Sequence, residues 1–161
     1  VAYAATVTVT ETVGSTPAVT ATGSAATITH DQFNKAATLT SSTTPPVTKH
    51  AAFEKALVAG AGTIDLTALA GSNAGAVDGT GLKVQVAYFK AKAANGNPIT
   101  IAVGASNGYD LSGADFSVTL SPGQEVLLYG NDATPDIASG DKTIDLSGTG
   151  TDTLQVELVM G

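Results

Sequence analysis

Side chains able to move a proton, attack a bond or hold a metal are few in this chain. The two histidines, His30 and His50, are the only side chains that ordinarily titrate near neutral pH, and neither lies in a serine, cysteine or metal-ligand motif. A surface or packing role suits both better than general-base catalysis. Carboxylates occur in spaced pairs, Asp110 with Asp115 and Asp132 with Asp136. Glycoside hydrolysis needs two such groups facing each other across a cleft, usually beside aromatics that hold the sugar. Four Tyr, four Phe and no Trp make a poor sugar platform. Asn131, Asp132, Asp136 and Asp141 supply the loop oxygens a hard cation such as Ca²⁺ wants, but their spacing lacks the regular alternation of an EF-hand. Asn and Asp also populate turns because they bond their own backbone, and that is the preferred reading of this cluster. Gly104-Ala105-Ser106-Asn107-Gly108 lacks the lysine and the following helix of a phosphate loop, and reads as a turn. No catalytic, cofactor-binding or metal-ligating residue is assigned, and no cofactor is expected.

The composition narrows the class. The 161 residues suit one domain, or one domain with an arm, and a single fold of that length buries roughly 70% of its unfolded surface. Charged residues make up only 13% and aromatics 5%, whereas Thr occurs 24 times and Gly 18 times. Such β-branched and turn-forming residues predict an all-β protein. All seven basic residues are Lys, and the formal net charge is −7. Nucleic acid and anionic membrane are therefore not expected partners, because both are bound through clustered Lys and Arg. The acidity serves solubility. With no cysteine there is no disulfide or thiolate chemistry, and the redox compartment is unmarked. No apolar run approaches the roughly 18 residues of a membrane span. The stretch VAYAATVTVTE has no basic n-region of the kind that opens a signal peptide.

Alternation identifies the elements that would position any site. Residues 4–13 put Val7, Val9 and Val13 on one face and Thr6, Thr8, Thr10 and Thr12 on the other, with Glu11 interrupting the apolar side. Residues 14–26 are small and polar and read as a loop or a weakly specified edge strand, followed by short strands at 25–29 and 36–40. Ser41–Pro46 breaks the chain. Residues 48–59 are ambiguous: Ala51–Leu57 has high helix propensity, but the all-β context favours a strand. Gly60-Ala61-Gly62 turns into Thr63-Ile64-Asp65-Leu66-Thr67, which nearly recurs as Thr143-Ile144-Asp145-Leu146-Ser147, as two symmetry-related strands of a sandwich would. Residues 71–81 and 130–142 read as loops. Leu82, Val84, Val86 and Tyr88 are expected inward, opposite Lys83, Gln85 and Ala87. Ile99–Val103, Phe116–Leu120 and Val126–Tyr129 follow, the last two joined by Ser121-Pro122-Gly123-Gln124 as a type II turn. Asn95-Gly96 and Asn107-Gly108 signal hairpin turns with positive φ. Leu154, Val156, Leu158 and Met160 face inward opposite Gln155 and Glu157. About seven strands after residue 62 predict an antiparallel β-sandwich, jelly-roll-like, with residues 63–161 as its core. Residues 1–62 would add strands or an extended arm to the same unit.

The stretches TIDLTAL (63–69), ITIAVGASNGY (99–109), VTLSPGQEVLLYG (118–130) and the closing LQVELVMG resemble a family of head-associated virion proteins of tailed bacteriophages. ITH (28–30) and TPPVTKHAAF (44–53) extend the likeness over most of the chain, although Pro122-Gly123-Gln124 stands where many such proteins carry Pro-Gly-Gly. The resemblance implies a capsid decoration or cement protein without catalytic residues. Such a protein clamps major capsid protein subunits, is often a homotrimer, is assembled in the host cytoplasm and resides on the capsid surface of the virion. Two other readings compete: a tail-fibre, head-fibre or bacterial surface adhesin module that binds a host receptor, and a β-sandwich hydrolase, which the missing motifs disfavour.

Overall fold

Apolar residues at every second position build two antiparallel four-stranded sheets packed face to face. The computed structural model describes residues 7–13, 33–71, 75–130 and 132–161, and no helix occurs among them. One sheet runs β10 (Glu125–Tyr129), β7 (Val84–Ala91), β12 (Thr153–Met160), β3 (Lys49–Ala56). The other runs β4 (Ala61–Asp65), β11 (Thr143–Ser147), β8 (Ile99–Val103), β9 (Ser117–Leu120). The first strand of the sandwich thus pairs with the last and the second with the next to last, and successive strands cross between sheets except at β8–β9, which pair as neighbours in one sheet. That winding is a jelly roll. Two short pieces, β5 (Leu69–Ala70) and β6 (Ala76–Val77), pair with each other, β5 just before the stretch read as a loop and β6 within it. A separate hairpin, β1 (Val7–Val13) with β2 (Phe33–Leu39), precedes the sandwich.

The ambiguous segment 48–59 is a strand, and Thr153–Met160 pairs along its whole length from Ala56 to Lys49. Because β3 and β4 both belong to the sandwich, the core starts at Lys49 and not at residue 63. The expected strand at 25–29 and the loop at 14–26 lie outside the described residues.

Between the sheets lies one core that includes Leu57, Ile64, Phe89, Ile99, Ile101, Ile144, Leu154, Val156, Leu158 and Met160. The inward face of β12 is the expected one. That of β7 is not. Val84 stands opposite Met160 but Val86 stands opposite Val159, so Gln85 is an extra residue and forms a bulge. Beyond it Ala87, Phe89 and Ala91 face the core, and Tyr88 is half-exposed on the outer face. Val86 is buried too, but in a second cluster with Leu39, Val47 and Val159. Residues 39–47 therefore strap one end of the outer face, and the Gln85 amide donates to Pro45 O at 2.9 Å. Coverage on both faces is why alternation misreads this strand.

Turns fix the register. Gly123 has φ +84° and Gln124 N–H donates to Ser121 O at 2.9 Å, as the type II turn requires. The β3–β4 connection turns at Ala59-Gly60, one residue before the expected triplet, with φ of 51° and 83° and reciprocal bonds between Val58 and Ala61. Asn95-Gly96 makes no positive-φ hairpin. It is part of a crossover between sheets, where the Asn95 amide exchanges two 2.9 Å bonds with the Thr153 backbone, as a strand neighbour would. Asn107 does have positive φ, 55°, but it serves the longer β8–β9 connection.

Candidate functional site

The residues singled out for chemistry are dispersed by this fold. His30 and Asn131 lie outside the described residues. His50 sits on the outer face of β3, where its Nε2 meets Glu157 Oε1 at 3.0 Å on the adjacent strand. Asp110 lines a depression of about 340 Å³ with Ser112, Tyr129 and Thr134, while Asp115 is exposed and outside that lining. The pair does not close on a common cleft.

Asp132 and Asp136 do converge, and on a cation the chain itself supplies. Lys83 Nζ lies 3.5 Å from Asp132 Oδ1 and 3.6 Å from Asp136 Oδ1. It also donates to Thr134 O at 3.0 Å. The ammonium thus takes the carboxylate and carbonyl oxygens expected of a calcium cage, while Asp141 pairs with Ala138 in a turn of its own. Among the described residues, no group of three or more His, Asp or Glu is arranged to hold a metal ion. Under this loop, Tyr109 is fully buried; its hydroxyl donates to Pro135 O at 2.8 Å and accepts from Val84 N–H at 3.1 Å. Burial raises its pKa above the ordinary value.

The glycine-rich stretch 104–108 spends its backbone groups internally. Gly104 and Tyr109 N–H both donate to Thr143 O, and Ala105 N–H donates to the Asp145 carboxylate at 2.8 Å. A Cβ on Gly104 would fall 2.8 Å from Thr143 O, so glycine is needed there for close approach. The turn reading stands.

What the fold does assemble is an ordered polar surface on the outer face of β10, β7, β12 and β3. Register aligns three rows across all four strands: Glu54–Gln155–Lys90–Glu125, Ala52–Glu157–Tyr88–Leu127, and His50–Val159–Val86–Tyr129. The strap covers much of the third row, and the other two are open. In the first, Lys92 donates to both Glu54 oxygens at 2.9 and 3.0 Å, and Gln155 Nε2 adds a bond at 3.1 Å. Those bonds hold Glu54 below its usual carboxylate pKa. Glu125 accepts from Tyr88 Oη at 2.7 Å and meets Lys90 Nζ at 3.0 Å, which lowers its pKa and raises that of Lys90. Partial burial and then the Glu125 contact raise the Tyr88 pKa. Between β3 and Tyr88 the small Ala52 leaves a depression of about 330 Å³, lined by Ala52, Glu54, Tyr88, Gln155 and Glu157. Sequence reasoning missed this surface because it placed Tyr88 inward. The signal available was Phe89, which outranks Tyr88 as a core residue and sets the opposite phase.

Comparison with protein-family models, with curated proteins and with solved structures finds no match for this chain.

Proposed function

We propose that this protein is a non-enzymatic capsid decoration protein, which binds major capsid protein subunits on the virion and self-associates as a homotrimer. The sequence resemblance lies in strands and turns that the jelly roll uses as its frame, notably Ile99–Val103, the Pro122-Gly123 turn and Glu125–Tyr129. The observation that carries the reading is the β1–β2 hairpin. It holds seven register pairs, from Val7 opposite Leu39 to Val13 opposite Phe33, yet joins no third strand among the described residues. A two-stranded hairpin is marginally stable alone and gains stability when packed against another surface. An arm of this kind, tied to a rigid sandwich, suits a protein that reaches onto a neighbouring subunit.

The test mixes recombinant protein with expanded empty capsids. Saturable binding and a higher capsid melting temperature are expected by linkage. Thr10→Pro, which removes a donor and clashes within β1, is expected to weaken binding while the melting transition of the sandwich is kept. Absence of capsid binding, with saturable binding to host cells, would favour the adhesin reading instead.

A further inference from the structure

We infer that the outer-face depression around Tyr88 is a binding site for a neutral, hydroxyl-rich ligand, a single pyranose unit of a glycan. This inference does not depend on the capsid reading, since it rests only on the lining of the depression.

Three features carry it. The first is shape: about 330 Å³ is at the small end of ligand sites, and it is open to solvent because Ala52 stands in a row of larger residues. The second is chemistry. Tyr88 offers a partly exposed aromatic ring to the depression. The C–H face of a pyranose packs against such an amphipathic ring while its hydroxyls turn to polar neighbours. Glu54, Gln155 and Glu157 supply those neighbours from β3 and β12.

The third feature is that the polar groups of the lining are already held in place. Glu54 is held by Lys92 and by the Gln155 amide, and Glu157 Oε1 meets His50 Nε2 at 3.0 Å. Each carboxylate keeps lone pairs beyond those contacts, since an ionised carboxylate has about four acceptor sites. Glu54 and Glu157 therefore present unused acceptors to the hydroxyl donors of a sugar. The same contacts fix the polar groups before any ligand arrives, which lowers the ordering cost of binding.

The experiment titrates full-length ¹⁵N-labelled protein with the methyl glycosides of glucose, galactose, mannose and N-acetylglucosamine, following amide shifts. Saturable shifts at millimolar concentration, confined to β3, β7 and β12 around Ala52, Tyr88 and Glu157, are expected with at least one of them. Ala52→Leu, which fills the depression, and Tyr88→Ala, which removes the ring, should each weaken that binding at least tenfold. Tyr88→Phe keeps the ring and should bind within about threefold of the parent protein. No saturable shift with any glycoside, shifts that map elsewhere, or binding indifferent to Ala52→Leu and Tyr88→Ala would overturn the proposal. So would equal losses in Tyr88→Phe and Tyr88→Ala. Tighter binding of an arginine-rich peptide to the same amides would overturn it in favour of a basic protein partner.

Discussion

Ile64 stands directly opposite Ile144 across the β4–β11 ladder, so the two copies of the Thr-Ile-Asp-Leu sequence are antiparallel neighbours. The local two-fold relation places Thr63 beside Asp145, which it bonds at 2.8 Å, and Thr143 opposite Asp65. Both isoleucines are buried, but β4 is an edge strand and β11 is flanked by β4 and β8.

Ile144→Ala should therefore cost more stability than Ile64→Ala, within the roughly 2–5 kcal/mol range of large-to-small core substitutions. The central site has less freedom to collapse around the cavity. Urea denaturation of both variants and of the double variant checks this. The double variant should fall short of additivity, because the two side chains are register partners. Equal costs, or a larger cost at the edge, would contradict the stated reason.

Asp65 and Lys142 form the best-placed ion pair near this ladder, at 2.8 Å. Desolvation pushes the Asp65 pKa up, but bonds from Lys142 and from the Thr67 hydroxyl and N–H outweigh it and hold the value at about 2. A depressed folded-state pKa gives stability that is present above the unfolded value and lost as pH falls through the folded one. The window thus runs from about pH 4 down to about pH 2. Asp65→Asn should lower stability at pH 7 by about 1 kcal/mol, because the pair is partly exposed and screened by water. It should also flatten the acid limb of stability against pH in that window. A parallel acid limb in the variant would count against the pair.

Local signals were legible in the sequence, and non-local ones were not. The Pro122-Gly123 turn needs only its own residues, and its φ and hydrogen bond are the expected ones. The phase of β12 was readable because its inward face is apolar throughout. β7 was misread because the Gln85 bulge resets its alternation and the strap through Leu39 and Val47 buries Val86 from outside. Neither is visible in the strand itself. Asn95-Gly96 has the composition of a hairpin turn, but the Asn95 amide finds the backbone of Thr153, far along the chain. The Asp132–Asp136 loop reads as a turn in the sequence, with a cation cage as the alternative, and the Lys83 ammonium that it gathers comes from the residue before another strand. The outer-face rows depend on the register of four strands at once, which no single segment encodes.

Ala59 adopts φ 51° in the two-residue turn before β4, a conformation that costs an L side chain and is normally given to Asn, Asp or Gly. Ala59→Gly or Ala59→Asn should raise stability by about 0.5–1 kcal/mol, with no change in the pairing of Val58 with Ala61. Thermal unfolding measures the gain. Gly60→Ala serves as the opposite control, since it has φ +83° and its Cβ would meet Gly148 O at 2.6 Å. A stabilised Gly60→Ala, or a destabilised Ala59→Asn, would mean that the turn differs from the one described.

Tyr109 locks the loop at 130–137 to the start of β7. Its hydroxyl takes the Val84 N–H, next to the bulge, and gives its own proton to Pro135 O. Tyr109→Phe keeps the ring in the core but leaves a buried donor and a carbonyl without that partner, at a cost of about 1–3 kcal/mol. Thr134 remains bonded to Val84 O at 2.9 Å, so the loop should loosen and not detach. Hydrogen exchange at Val84 and Ile137 should accelerate before exchange at β12 does. The pH response separates the hydroxyl from the ring. Burial raises the Tyr109 pKa above 10.0, so its contribution is full below the unfolded value and lost as pH climbs through the folded one. The parent protein should therefore lose stability above about pH 10 more steeply than Tyr109→Phe does. Identical alkaline limbs would show that the hydroxyl is not held as described.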